Sequence, residues 1–413
     1  MTSSTTPDPS AAPLPAADSF DIVVVGGGAA GIGISAHLLK ADGRLRIAVI
    51  EPADFHTYQP GLTLVGAGVF KPELLRRRTA ALMPAGAVWI KAQVTGFEPE
   101  RNQVQLDGKR MLQYQQLIVC PGLRLAWEEI PGLQESLGTH GVTSNYRADL
   151  AAYTWQLVRD LRRGTALFTQ PSMPIKCAGA PQKALYLACD HWRRRGVLKA
   201  VDAQFHSAGA VLFGVAHFVP ALSRYIARYG VDLQLNSRLI AVDGRNKIAT
   251  FEVSLADGGV RSIDKTFDML HVVPPQRPHH CVSASPLADD AGWLKVDPAS
   301  LQHVTYANVF GLGDACGTSN AKTAAAVRNQ IRVVSANLLA IRAQRTLPAA
   351  YDGYGACPLT VEKGKVILAE FGYGGALLPS FPFDARVARR SMWWLKASFL
   401  PWFYWNRLLK GRG

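Results

Sequence analysis

Two cysteines lie in stretches of the sequence that are rich in glycine, proline and other small residues. Cys177 lies in residues 174–181 (Pro-Ile-Lys-Cys-Ala-Gly-Ala-Pro), and Cys357 lies 180 positions further on, in residues 351–358. Glycine and proline are typical of loops. Two loop cysteines that meet in space can exchange a disulfide and pass electrons or sulfur onward. Because separation along the chain does not determine separation in space, the alternative is two unrelated, inert thiols.

The N-terminal part of the sequence has the pattern of a dinucleotide-binding unit. Residues 21–25 predict a buried strand, residues 29–40 a helix, and residues 46–50 a second strand that ends at an acidic residue. Glycines in G-x-G-x-x-G spacing permit a tight turn, close approach of the backbone to a pyrophosphate, and close helix packing. The acid can accept hydrogen bonds from a ribose. The expected cofactor-binding residues here are Gly26, Gly28, Gly31 and Glu51.

A second element, near residue 310, favours FAD over NAD. Residues 308–314 predict a strand that ends in Gly-Asp, and residues 321–340 predict a helix. The aspartate can bind a ribityl hydroxyl, and the positive end of the helix can stabilise an anionic reduced flavin. Taken alone, Gly-Asp fits an ordinary turn; together with the N-terminal motif it favours FAD. We therefore expect Gly313, Asp314, Lys322 and Thr323 at the cofactor, together with Gln59 and Gly122.

The middle of the sequence has the pattern of a second α/β domain without a nucleotide motif. Strands are expected at residues 166–169, 201–206 and 210–213. In pyridine-nucleotide flavoenzymes a glycine motif follows the first strand of this domain. Here that strand is followed by Gln-Pro-Ser-Met-Pro and then Cys177, with no G-x-G-x-x-G. The sequence therefore disfavours an NADH dehydrogenase and places a cysteine where a nicotinamide would dock.

The C-terminal residues 386–413 combine seven Lys or Arg with many apolar side chains and no acidic residue. Pro401 is expected to split this stretch into two short helices. Short, basic and aromatic helices are typical of an element that lies in a membrane interface without crossing it. Its cations would meet anionic headgroups. The alternatives are a core helix or a dimer contact, where Trp and Arg are also common.

Composition limits the remaining function classes. The formal net charge of +14 suggests an anionic partner; a membrane surface is favoured, and nucleic acid is disfavoured because no nucleic-acid motif is found. Six cysteines do not make a disulfide framework and fit a reducing compartment. Residues 1–19 are expected to be a disordered tail, because they consist mostly of Ser, Thr, Pro and Ala and contain no Lys or Arg. They also lack the features of a secretory signal. We expect peripheral membrane attachment at the cytoplasmic face, and no metal site.

Several of these stretches together resemble the sulfide:quinone oxidoreductases, in the branch that includes the mitochondrial enzymes. The resemblance implies an α/β fold with two Rossmann-like dinucleotide-binding domains (glutathione-reductase-like), a C-terminal amphipathic membrane-binding element, and FAD as cofactor. It runs from residue 21 nearly to the end of the chain, and its most specific stretches are residues 174–183, 313–327, 351–359, 366–371, 381–384 and 391–406.

The expected domain boundaries follow from this pattern. The FAD-binding domain is expected at residues 20–145 and 286–345, and the second Rossmann-like domain at residues 146–285. Residues 346–413 are expected to hold the second cysteine, the quinone site and the membrane element. The chain ends soon after Asn406, earlier than in the mitochondrial pattern, which bears on how deeply this element inserts.

The resemblance implies that Cys177 and Cys357 are a redox pair that reacts with sulfide. Hydrosulfide would attack their disulfide, Cys357 would keep a persulfide, and the sulfur of Cys177 would react with the flavin. The sulfane sulfur would leave to a small acceptor such as glutathione, sulfite or cyanide, and the electrons would pass to a quinone. Some bacterial relatives use a third cysteine, but Cys120 falls in a predicted strand and is expected to be a packed small residue.

The sequence offers further candidates for catalytic and quinone-binding roles. Lys183 and Lys396 are candidates to stabilise anionic sulfur or a quinone oxygen, although both also fit as solvated surface lysines. Glu135 is a candidate proton carrier, and Phe381 and Phe399 are candidates for the quinone site. The rival functions are an NADH:quinone reductase and a non-catalytic, membrane-attached flavin redox sensor. Self-association into a homo-oligomer is left open.

Overall fold

The computed structural model describes residues 18–413. Residues 1–17, most of the predicted tail, lie outside this range, and Ser19 already belongs to the first strand. The strands are β1 (Ser19–Val25), β2 (Ile47–Ile50), β3 (Phe55–Thr57), β4 (Arg76–Arg78), β5 (Ala87–Ile90), β6 (Val94–Glu98), β7 (Gln103–Leu106), β8 (Met111–Val119), β9 (Arg124–Leu125), β10 (Val142–Thr143), β11 (Gly164–Gln170), β12 (Val201–Ser207), β13 (Asp232–Gln234), β14 (Ser237–Asp243), β15 (Ile248–Ser254), β16 (Val260–Thr266), β17 (Met269–His271), β18 (Gln276–Arg277), β19 (Val309–Gly311), β20 (Gly355–Glu362) and β21 (Lys365–Phe371). The helices are α1 (Ala29–Ala41), α2 (Leu62–Val65), α3 (Leu133–Ser136), α4 (Ala151–Asp160), α5 (Ala180–Arg194), α6 (Val219–Tyr229), α7 (His280–Ser283), α8 (Ala324–Arg342), α9 (Arg390–Trp394) and α10 (Leu400–Asn406).

The first domain is built on a sheet whose central strands are parallel, in the order β5-β2-β1-β8-β19. The antiparallel strands β6 and β7 extend this sheet beside the first part of β8. β1 and β2 are buried because they consist mainly of Ile, Val and Ala. Helices α1 and α8 pack together on one face of the sheet. The predicted strand–helix–strand unit is thus β1, α1 and β2, and it places the glycine-rich turn at the carboxyl edge of the sheet.

The second domain has a parallel sheet in the order β10-β17-β11-β12-β13 and an antiparallel sheet of β14, β15 and β16. Together with the first sheet it confirms the predicted α/β fold with two Rossmann-like domains. β10 joins this sheet three residues before the expected boundary at residue 146. The strand expected at residues 210–213 is absent and bends replace it. Leu212 and Phe213 are buried in the domain core, so their apolar character reflects packing rather than a strand.

The C-terminal region begins with the β20–β21 hairpin, which packs against α5 of the second domain. α9 and α10 follow as two short helices, but Pro401 does not separate them as predicted, because it is the second residue of α10. A π-helical turn, Leu395–Phe399, joins them without a break. Pro401 is at the start of α10 and lacks an N–H to donate into the preceding turn. Among residues 18–413, no helix is both long and apolar enough to cross a bilayer.

Candidate active site at the cysteine pair

The thiols of Cys177 and Cys357 lie close enough to form a hydrogen bond, and both are free. Cys177 lies in the loop between β11 and α5 and has left-handed backbone geometry, with φ +83°. Cys357 lies in strand β20 and is fully buried. The prediction that both cysteines lie in loops is therefore wrong for Cys357. Pro358 is tolerated in the strand because β20 pairs with β21 on one side only.

A glycine allows the Cys177 loop to approach strand β20 closely. A Cβ atom at Gly179 would lie 2.2 Å from Cδ2 of Leu359, two residues after Cys357. Any larger residue would push the loop and the strand apart. α5 starts at Ala180, so the loop and the first turn of α5 together set the position of the Cys177 sulfur relative to β20. In residues 177–181, Cys177 thus supplies the reactive sulfur, and Gly179 allows the close packing that positions it.

The two thiols differ in acidity. A hydrogen bond from the Cys357 thiol holds the pKa of Cys177 well below its usual range, against the opposing effect of burial. The ammonium of Lys183 adds to this effect, because its Nζ donates to the Cys177 Sγ at 3.1 Å. The same pairing raises the pKa of Cys357 well above its usual range, and burial adds to it. In the reduced pair, Cys177 is therefore the thiolate and Cys357 the thiol that donates to it.

Two buried lysines provide positive charge beside this thiolate. Lys183, in the first turn of α5, is 2% exposed. Burial lowers the pKa of Lys183, but the neighbouring cysteine sulfurs outweigh that effect and raise it overall. Lys396, in the π-helical turn of the C-terminal region, is 5% exposed and donates to the Pro60 carbonyl at 3.3 Å. Burial, together with the charge of Lys183, lowers the pKa of Lys396 to about 7. Neither lysine is a solvated surface residue.

Sequence reasoning missed two residues that connect the cysteine loop to the cofactor side. The Nζ of Lys176 donates to Oε1 of Gln59 at 2.6 Å, and the hydroxyl of Tyr146 donates to the Lys176 carbonyl at 3.1 Å. Lys176 and Asp314 are also near enough for each to shift the pKa of the other. Lys176 could have been found from the sequence, because it precedes Cys177 in the stretch of residues 174–181. No sequence pattern pointed to Tyr146.

The glycine-rich turn after β1 fits a bound pyrophosphate. A Cβ atom at Gly26, where φ is +101°, would lie 2.5 Å from the Cys120 carbonyl oxygen, and one at Gly31 would lie 1.8 Å from the Gly26 carbonyl oxygen. Gly26 and Gly31 are therefore required by the close packing of the backbone, whether or not a cofactor is bound. Gly28 and Gly122 differ, because a Cβ at either would meet no protein atom within 4 Å. They border open space at the carboxyl edge of the sheet, where the phosphates of a dinucleotide bind.

The second cofactor element is also shaped by specific contacts. Thr323 caps α8 by accepting a hydrogen bond from the Ala326 N–H, and Asp314 is half-buried near the cysteines. Burial raises the pKa of Asp314, although Lys322 and Lys176 oppose the rise. The Nζ of Lys322 donates to the carbonyls of Asp314 and Cys316, at 2.8 and 2.7 Å. Lys322 therefore holds the turn that contains Asp314, rather than extending into the cofactor space.

Glu51 has two backbone partners that shape the same turn. Its carboxylate accepts hydrogen bonds from the Gly27 N–H at 2.8 Å and from the Ala53 N–H at 2.9 Å. A carboxylate has about four acceptor positions, so two remain for a ribose. Cys120, by contrast, is buried with a pKa raised by burial, and its Sγ lies 3.7 Å from the Gly26 carbonyl oxygen. Cys120 follows the last residue of β8 rather than lying in the strand as predicted, but it is packed in the core as expected.

We predict that Gly28→Ala lowers FAD content without destabilising the chain. The new methyl group meets no protein atom but enters the space where the backbone would approach a pyrophosphate, so we expect FAD binding to weaken roughly tenfold or more. Gly43→Ala is the matched control, because its Cβ meets only the Leu39 carbonyl oxygen at 3.7 Å. The measurement is the ratio of FAD to protein, together with the thermal midpoint. Full FAD content in Gly28→Ala would contradict this placement.

Three predicted residues are not brought to the cysteines. Glu135 is exposed on α3, which packs against β14 of the second domain. Phe381 stacks on Phe383, whereas Phe399 contacts the rings of three C-terminal aromatic residues. The two phenylalanines thus belong to separate ring clusters, each 36% exposed. Among residues 18–413 there is no group of three or more His, Cys, Asp or Glu arranged to hold a metal ion.

Comparisons with known proteins place the chain among flavin-dependent oxidoreductases. Residues 20–161 match the pyridine nucleotide-disulphide oxidoreductase family. A mitochondrial sulfide:quinone oxidoreductase of Dictyostelium discoideum is 40% identical over 95% of this chain and 86% of its own length. The one of Mus musculus is 37% identical over 96% of this chain and 88% of its own length. The crystal structure of the sulfide:quinone oxidoreductase from Aquifex aeolicus is 18% identical, with a TM-score of 0.77, and covers 94% of this chain and 91% of that chain.

Proposed function

The chain belongs to the sulfide:quinone oxidoreductase family, and we propose that it oxidises sulfide at Cys177 and Cys357, with FAD as cofactor and a quinone as electron acceptor. The observation that carries this proposal is the environment of Cys177. Its thiolate receives one hydrogen bond from the Cys357 thiol and one from the Lys183 ammonium. A stabilised thiolate beside a second thiol is the arrangement that thiol–disulfide chemistry requires.

FAD would be held by the glycine turn and by the second cofactor element. We assign the pyrophosphate to the turn at Gly26, Gly28 and Gly31, the ribose to Glu51, and the ribityl chain to Asp314. Gln59, Gly122, Lys322 and Thr323 are assigned to the walls or support of the same site. When bound, FAD takes two electrons from the cysteine sulfurs and passes them to the quinone.

The difference in acidity between the two cysteines sets the direction of attack. In the oxidised pair, hydrosulfide attacks the Cys357 sulfur of the disulfide, the S–S bond breaks, and Cys177 leaves as a thiolate. The sulfur whose thiolate is better stabilised is the better leaving group, and that sulfur is Cys177, because the Lys183 ammonium donates to it directly at 3.1 Å. Cys357 then carries the new sulfur as a persulfide, and no electron leaves the protein in this step.

The lysines compensate for the negative charge that this step places in a buried site. Lys183 stabilises the departing Cys177 thiolate through its direct hydrogen bond. Lys396 lies further away but acts on both cysteine sulfurs electrostatically. Because its pKa is about 7, Lys396 can hold or release a proton at neutral pH, and we assign it the protonation of an anionic sulfur or quinone oxygen.

We predict that sulfide leaves its sulfur on Cys357 and not on Cys177. The reason is the hydrogen bond from Lys183 to the Cys177 sulfur, which stabilises the Cys177 thiolate and makes it the leaving group. The protein is treated with sulfide, alkylated without reduction and digested, and the two cysteine peptides are compared by mass spectrometry. An added sulfur atom is expected on the Cys357 peptide. If the added sulfur were found on the Cys177 peptide, the assigned direction of attack would be wrong.

The C-terminal region is proposed to attach the protein peripherally to a membrane. Tyr404 and Trp405 pack with the core of the first domain, whereas Trp394 and Trp402 are 60% and 53% exposed. Amphipathic aromatic residues beside cations favour a bilayer interface. The same region carries Lys396 into the cysteine site, so the membrane element and the sulfur chemistry share one structural unit. We place the quinone near Phe381 and Phe399 and the membrane attachment at the cytoplasmic face.

The sulfur acceptor and the assembly state complete the proposal. The acceptor is a small nucleophile such as glutathione, sulfite or cyanide, since each can remove sulfane sulfur from a persulfide. A homo-oligomer is compatible with the proposal but is not required by it, because both cysteines and both lysines come from one chain. Steady-state quinone reduction with sulfide and each acceptor in turn would rank the three. No turnover with any of them would contradict the proposed activity.

A further inference from the structure

Three consecutive arginines, Arg76, Arg77 and Arg78, make up the whole of β4, and all three are exposed. β4 pairs with β3 as a short antiparallel ribbon. Within residues 18–413, none of the three forms an ion pair with an acidic residue. Three adjacent like charges repel one another. Their grouping therefore points to an anionic partner outside the chain.

Aromatic rings hold the guanidinium groups in place. The guanidinium carbon of Arg76 lies 3.8 Å from the ring centre of Phe55, and that of Arg78 lies 5.8 Å from the same ring. On the other side of the ribbon, Arg77 lies 4.2 Å from the ring centre of Trp405. A guanidinium that stacks through its flat face keeps its N–H edges free. Those edges match the geometry of phosphate oxygens.

The ribbon adjoins the exposed aromatic surface of the C-terminal region. His56 of β3 is hydrogen-bonded to the Tyr404 hydroxyl at 2.6 Å, and Arg77 stacks on the neighbouring Trp405. One turn earlier in α10, Trp402 is exposed, and it contacts Phe399. Just before β4, Leu74 is 64% exposed. Arg77 thus lies beside the aromatic residues of α10, and Arg76 and Arg78 lie on the other face of the same two-stranded ribbon.

We propose that β4 is a headgroup-binding strand, in which Arg76, Arg77 and Arg78 bind the phosphates of an anionic lipid bilayer. This inference rests on the proposed membrane attachment and adds a second element to it, about 310 residues before the C-terminal helices. A bilayer is favoured over an acidic protein because the exposed Leu74 and Trp402 need an apolar partner next to the phosphates. The strand supplies charge recognition, and the C-terminal aromatic residues supply insertion.

The test compares binding of the FAD-loaded full chain to two kinds of vesicle. Sedimentation is measured with phosphatidylcholine vesicles and with vesicles that also contain phosphatidylglycerol. Arg76→Gln/Arg77→Gln/Arg78→Gln is expected to reduce partitioning to the anionic vesicles on the order of a hundredfold, about fivefold for each arginine. The charge-preserving triple lysine variant is expected to retain most of the binding. The matched control is Arg162→Gln/Arg163→Gln/Arg261→Gln, which removes three exposed charges from the second domain.

Each outcome has a defined meaning. Sulfide-dependent flavin reduction in detergent should be unchanged in the β4 variants, which shows that they fold. If the glutamine variant lost its FAD, the single variants Arg76→Gln and Arg77→Gln would carry the test. Equal binding of the triple variant and the unsubstituted chain to anionic vesicles would overturn the inference, as would an equal loss in the control. If the unsubstituted chain bound neither vesicle, the membrane attachment itself would fail. If Trp394→Ala/Trp402→Ala lost vesicle binding while the β4 triple variant kept it, the β4 inference would fail and the C-terminal membrane attachment would stand.

Discussion

Replacing Cys177 with serine is expected to slow sulfide-dependent reduction of the bound flavin by roughly a thousandfold or more. Serine cannot form the disulfide that hydrosulfide attacks, and its hydroxyl is far less acidic than a thiol that receives hydrogen bonds from Cys357 and Lys183. The measurement is the rate at which the absorbance of oxidised flavin disappears after anaerobic mixing with sulfide. Cys357→Ser should lose activity to a similar extent, because both sulfurs belong to one disulfide.

The control for the serine variants is Cys281→Ser. Cys281 is half-buried on α7, outside the cysteine pair, and its pKa is raised by burial. With sulfide, the flavin of the Cys281→Ser variant should be reduced at the same rate as that of the unsubstituted protein. A Cys177→Ser protein that kept full FAD content and most of its sulfide-dependent rate would show that the pair does not carry the reaction.

Replacing Lys183 with methionine is expected to give the next largest effect, a slowing of about tenfold to a hundredfold at neutral pH. The ammonium donates directly to the Cys177 sulfur at 3.1 Å, and a hydrogen bond to a charged group contributes about 1.5–3 kcal/mol. Without it, the thiolate is less stable, so the pKa of Cys177 rises. The thiolate then forms only at higher pH, and the acid limb of the pH profile should move to higher pH.

Alkylation of the reduced protein measures this shift separately from turnover. The rate of reaction of Cys177 with iodoacetamide follows its thiolate fraction. In Lys183→Met the alkylation profile should move in the same direction as the pH–rate profile. Lys199→Met, which removes an exposed lysine from the same domain, should leave both profiles unchanged. An unshifted alkylation profile in Lys183→Met would mean that Lys183 only supports the packing of α5.

Local patterns explain why the nucleotide-binding unit could be predicted. The helix expected at residues 29–40 is Ala29–Ala41, because its start is fixed by the glycine turn and its buried face by residue spacing. The prediction of a strand at residues 210–213 is wrong because no local pattern distinguished a strand from a buried irregular segment. Its apolar residues are buried by tertiary packing within bends, which composition alone does not reveal.

The assembly of the cysteine site could not be predicted from the sequence, because it depends on contacts between residues far apart in the chain. That Cys177 and Cys357 meet depends on the packing of α5 against β20, with Gly179 allowing the close approach. Lys396 reaches the same site from the C-terminal region, and no local pattern indicates that a lysine among aromatic residues is buried. Lys322 was predicted at the cofactor from its place near the start of a helix, but no sequence pattern indicated that its ammonium binds the carbonyls of Asp314 and Cys316.

The most direct test of the central claim is anaerobic mixing of the unsubstituted protein with sulfide, and separately with NADH, while the flavin absorbance is followed. Sulfide is expected to bleach the flavin rapidly, and an added quinone is expected to restore it, whereas NADH should have little effect. That result, together with its loss in Cys177→Ser and Cys357→Ser, would establish that electrons from sulfide enter through the cysteine pair. Rapid bleaching by NADH, with none by sulfide, would contradict the account and indicate an NADH:quinone reductase.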